Sequence, residues 1–93
     1  MKTIEKIEKE KIGSLKFCKK EVLGDEMARR KRAFDLMRAQ ALGNLLHSKV
    51  TITFEDAAEH LYQVTTTVWA AGNEFVSLKC NTHIPVNSIL EVD

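Results

Sequence analysis

The hydrophobic period changes at His47, and no other feature constrains the fold more. From Glu26 to Leu46 the chain holds no proline and no β-branched residue. Met27, Phe34, Met37, Ala41 and Leu45 recur there at helical intervals, with Ala33 and Leu36 widening the stripe. The spacing predicts a helix over 24–46 whose Phe34, Met37, Ala41 and Leu45 face the rest of the protein. Gly24-Asp25 supplies the start, because an Asp carboxylate accepts from the free N–H groups of a first helical turn. Gly43-Asn44 supplies a stop signal, with Leu45 and Leu46 able to add a turn.

After His47 the side chains alternate. In "KVTITFE", Val50, Ile52 and Phe54 share one face against Thr51, Thr53 and Glu55. "LYQVTTTVWAAG" sets Tyr62, Val64, Thr66 and Val68 against Gln63, Thr65, Thr67 and Trp69. β-branched residues crowd both runs, as a pleated, half-buried surface favours. Gly72-Asn73 turns the chain, "EFVSLKC" puts Val76, Leu78 and Cys80 inward, and "HIPV" and "SILEV" add two short strands. Pro85 has no N–H for a ladder, so its segment is an edge strand or a strand start. The expected fold is α+β: an N-terminal helix, then a small, strongly bent antiparallel sheet or barrel of five strands over 47–93.

With 93 residues the chain predicts a single domain over 1–93. Such a chain buries only about 60–65 % of its unfolded surface. No apolar run approaches the roughly 18 residues a membrane span needs, and "MKTIEKIEKEK" lacks the apolar stretch of a signal peptide. A cytoplasmic protein is expected, with Cys18 and Cys80 as free thiols. Residues 1–23 read as a charged segment, partly helical or disordered. The net charge of +1 conceals a split: +5 over residues 1–38 (12 Lys/Arg, 7 Asp/Glu) and −4 over 39–93 (2 and 6).

The helix over 26–46, "KVTITF", "YQVTTTVWA", "EFVSLK" and the "IPV…SILEV" pair together resemble the Sm-like fold that the bacterial host-factor RNA chaperone shares. The resemblance implies a helix followed by five bent strands, and RNA as a partner. The motifs depart from it. "EDAAEH" stands in place of a glycine-rich first hairpin, Ala71-Gly72 in place of an Asp, and "HIPVNSI" lacks the basic-aromatic motif. RNA-binding residues therefore do not carry over one by one. The same strand segments, with "LGNLLHS" before them, resemble a group of small Bacteroidota-type proteins without assigned activity.

Two features invite a functional reading. "ARRKRAF" carries Arg29, Arg30, Lys31 and Arg32, and Arg38 follows one turn on. The cations suit either a phosphate backbone or a solvated helix face paired with nearby carboxylates. Trp69 and Phe75 are expected to point outward on neighbouring strands as a cross-strand aromatic pair. Together with Pro85 they form the candidate protein interface. Cys80-x-x-His83 is half a zinc motif whose two side chains alternate to opposite faces, so no metal is expected. No nucleophile adjoins a base, glycines 13, 24, 43 and 72 are scattered, and Glu55, Asp56 and Glu59 share a turn. The sequence thus predicts no enzyme and no cofactor. It predicts a protein-interaction or self-assembly module, a homo-oligomer or one with a protein partner. RNA binding through the basic helix is the alternative.

Overall fold

The computed structural model describes residues 3–17, 19–79 and 81–93, so the thiol expectations for Cys18 and Cys80 lie outside the described residues. The chain runs β1 (Ile4–Lys6), α1 (Lys9–Ile12), α2 (Glu26–Leu46), β2 (Val50–Glu55), β3 (Leu61–Thr66) and β4 (Val68–Ala71). It continues through β5 (Phe75–Leu78), β6 (Thr82–Pro85), a 3₁₀ turn at Val86–Ser88 and β7 (Ile89–Val92).

The fold is α+β, with one long helix and two sheets, ordered β1-β3-β2-β7 and β4-β5-β6. This corrects the expected five-stranded barrel in two ways. The long second strand breaks at Thr67, where the chain leaves one sheet as β3 and enters the other as β4. The two sheets do not close on each other, and β1 adds a strand ahead of the long helix, which is therefore not the N-terminal element. β1 lies parallel to β3, pairing Ile4 with Leu61 and Lys6 with Gln63.

The alternation read from the sequence holds in β5 and β6 and in most of β2, but not in β4 or β7, and Thr67, expected to point outward, is buried. Ile52, Phe54, Val68, Val76, Leu78, Ile84 and Ile89 are all fully buried. The N-terminal segment completes this core. Ile12 at the end of α1 is 1 % exposed, Phe17 packs on Phe54 with ring centroids 5.8 Å apart, and the Lys16 carbonyl accepts from Ala57 N–H at 2.8 Å. A small domain with few large apolar groups uses those that its charged head supplies.

At α2 the sequence expectation fails, and side-chain size explains the failure. The start is as predicted, with Asp25 Oδ1 accepting from Met27 N–H at 3.2 Å. The buried face, however, is Arg32, Asp35, Leu36, Ala39 and Gly43, while Phe34, Met37, Ala41 and Leu45 face outward. Gly43 is not the helix stop. It lies where α2 presses on β4, and a Cβ there would stand 2.4 Å from the Val68 carbonyl oxygen. One turn earlier, Gln40 Oε1 accepts from Ala71 N–H at 2.6 Å. The helix thus covers the outer edge of β4 at backbone range, which only small residues permit. The stop comes at His47, left-handed at φ 52°, whose N–H reaches the Gly43 and Leu42 carbonyls.

Candidate functional site

The cationic run is tied down within the chain. Arg32, 6 % exposed, forms a two-pronged ion pair with Glu21 at 2.6 and 2.7 Å and donates to the Ile89 carbonyl at 2.9 Å. It therefore joins the N-terminal segment, α2 and β7. Its guanidinium holds the Glu21 carboxyl below the usual carboxylate range. Arg29 donates to the Leu23 carbonyl at 2.9 Å, and Arg30 pairs with Glu26 at 3.0 Å. Lys31 and Arg38 flank Asp35 at 2.7 and 3.8 Å, and the first contact raises the Lys31 ammonium above its ordinary value. Of the five cations singled out in the sequence, Arg32 is interior and the other four lie at the surface beside protein acceptors.

The expected Trp69–Phe75 pair is not brought together. The β4–β5 register shifts between Val68 and Ala70, leaving Trp69 at a bulge, while the Gly72 N–H bonds the Phe75 carbonyl three residues farther on. Phe75 instead lies opposite Pro85 across the β5–β6 ladder, and β6 is the edge strand that Pro85 requires. Trp69 and Phe75 are both half exposed. The acidic turn after β2 is structural: Asp56 Oδ1 accepts from the Ala58 and His60 N–H groups, both at 2.9 Å.

Phe34, Met37 and Leu45, which the spacing placed inside the protein, are instead exposed. Met27 is 70 % exposed, Phe34 66 %, Met37 70 % and Leu45 78 %. With Ala41 they lie on the side of α2 away from the sheets, where Arg30 falls among them and Lys31 and Arg38 border them at about 100° per residue. Beside Met37 the stripe opens into a groove of about 350 Å³ lined by Ala33, Leu36, Gln40, Ala71 and Val86. The sequence does hold the signal for this orientation. Arg32, Leu36, Ala39 and Gly43 form a second stripe, about half a turn away at roughly 100° per residue. Its diminishing side chains suit close backbone packing.

Among the described residues no helix is long and apolar enough to cross a membrane, and no three His, Cys, Asp or Glu side chains converge as a metal site. Comparison with protein-family models, with curated proteins and with solved structures gave no match.

Proposed function

We propose that this is a non-enzymatic, cytoplasmic protein-interaction module that docks an amphipathic helix of another chain on the outer face of α2. One observation carries the reading: the Met27, Phe34, Met37 and Leu45 stripe, each side chain at least 66 % exposed. Scattered apolar residues on a surface need no explanation, but several gathered on one face of a helix mark a contact surface. Methionines suit such a surface because they are flexible and polarizable.

Met27 and Met37 are built-in reporters. Hydroxyl-radical footprinting, with rates normalised to a methionine-containing reference peptide added to each sample, should oxidise both quickly in dilute purified protein and slowly in concentrated lysate of cells that make it. Equal rates in the two settings would remove the docking reading. RNA binding through Arg29, Arg30, Lys31 and Arg38 is the second reading, favoured by the exposure of Arg30 (74 %) and Lys31 (72 %). It predicts that log affinity for a short single strand falls against log salt by about 0.7 per phosphate contact. The Leu23 carbonyl beside Arg29 and the carboxylates beside Arg30, Lys31 and Arg38 argue against it.

A further inference from the structure

We infer that Arg32 anchors a binding site for a small carboxylate with an apolar body, in the cavity bounded by the N-terminal segment, α2 and the start of β5. The site goes beyond the docking reading and uses none of the four exposed side chains that carry it.

The first argument is the donor count. A guanidinium carries five N–H groups in one plane. Arg32 uses three of them within the chain: Nη1 donates to Glu21 Oε2 and to the Ile89 carbonyl, and Nη2 donates to Glu21 Oε1. The Nε–H and the second Nη2–H remain. Glu21 takes the end of the group and Ile89 the edge beside Cδ, so the remaining two lie side by side on the other edge and point the same way. Two parallel N–H groups are a fork that one carboxylate fills with both oxygens. The Arg32 side chain is 6 % exposed, and its Nε is the one buried side-chain polar atom among the described residues without a partner. A buried donor left unmade costs free energy, so this edge calls for an acceptor.

The second argument is space. Arg32 lines a cavity of about 550 Å³ with Lys19, Glu21, Asn73, Glu74, Phe75 and Val86. That volume falls in the range of small-molecule sites. Phe75, half exposed, and Val86 supply an apolar wall for the body of the ligand. Nε itself is closed to solvent. Lys19, Asn73 and Glu74 sit in bends outside the helices and strands, and their movement opens the edge.

The third argument is charge. Lys19 and Arg32 line the cavity and Arg29 acts on Glu21 from beside it, against the carboxylates of Glu21 and Glu74. The cations are in excess by one, and a bound carboxylate brings the site to balance. A neutral amide fills the fork with a single oxygen and leaves that excess, and a cationic ligand meets like charge.

The test is NMR of the ¹⁵N-labelled full chain at neutral pH and constant ionic strength. Phenylacetate is the carboxylate probe and phenylacetamide its neutral match. The Arg32 Nε–H signal is assigned through its bonds to the Arg32 backbone, so no variant of this buried residue is needed. Phenylacetate is expected to shift that signal saturably, with phenylacetamide weaker by about tenfold or more. Lys19→Gln should raise the half-saturating phenylacetate concentration several-fold, while Lys49→Gln, an exposed cation that does not line the cavity, should leave it unchanged. Both substitutions are at exposed side chains, so the melts of the unliganded variants should match the parent. A signal that phenylacetate leaves in place, or shifts in proportion to concentration without saturating, overturns the site. A signal indifferent to both probes, with a through-space contact to water, shows that a buried water meets Nε and overturns it equally. Equal responses to acid and amide overturn the carboxylate class.

Discussion

Arg32 and Glu21 show how one buried ion pair replaces apolar mass in a small protein. The guanidinium lies within the fold, makes contacts with two other chain segments, and leaves only its Nε without a partner. Removing a buried partner is costly because it strands the remaining charge. Glu21→Gln should destabilise the protein at neutral pH by about 2 kcal/mol, below the 3–5 of a fully buried pair because Glu21 is one-third exposed and partly screened. The sign of the pH effect follows from a depressed carboxyl. Its stabilisation is complete above the unfolded value of about 4.3 and is lost as pH falls toward the lower folded-state value. Urea unfolding of both proteins from neutral to acid pH should therefore show the gap closing below that value. A gap that stays constant down to pH 3 would deny the pair its role.

At the scale of elements, the contact between α2 and β4 decides which face of the helix is inside. Gly43→Ala tests it because two effects oppose. In an exposed helix interior the change would stabilise by about 1 kcal/mol through helix propensity. Here the new methyl meets the Val68 carbonyl oxygen at 2.4 Å, backbone that cannot swing aside. Overpacking of this kind costs about 1–3 kcal/mol before the propensity gain is counted. A net loss in unfolding free energy is expected, and a more stable Gly43→Ala would show that α2 does not lie against β4. The outward stripe follows from the same contact. Once Leu36, Ala39 and Gly43 turn inward, helical geometry fixes Phe34, Met37 and Leu45 on the other side.

Over the whole molecule, the charged N-terminal segment is a structural component. β1 extends one sheet, α1 packs on β6, and Thr82 Oγ1 donates to the Lys9 carbonyl at 3.3 Å. Ile12 is the anchor at 1 % exposure, whereas Ile4 is 45 % exposed. Ile12→Ala should cost about 2–5 kcal/mol, as removal of a buried aliphatic does, and Ile4→Ala under about 1. Thermal melts of the two variants compare them directly. Similar small losses would mean that the segment does not seal the core.

The sequence alone determined Glu26–Leu46 of the expected helix over 24–46, the extended segments after it and many of their inward side chains, Ile52, Phe54, Val76 and Leu78 among them. These are local: a cap, a period and β-branched composition act within a few residues. Tertiary structure decided the break at Thr67, the parallel pairing of β1 with β3, the separation of Trp69 from Phe75 and the inner face of α2. Each depends on residues far apart in the chain: the register across β4 and β5, or the space between Gly43 and Val68. For the candidate site, the stripe itself was legible but its orientation was not. Hydropathy favours burying Phe34, Met37 and Leu45, and the short distance between helix and strand admits only Ala39 and Gly43.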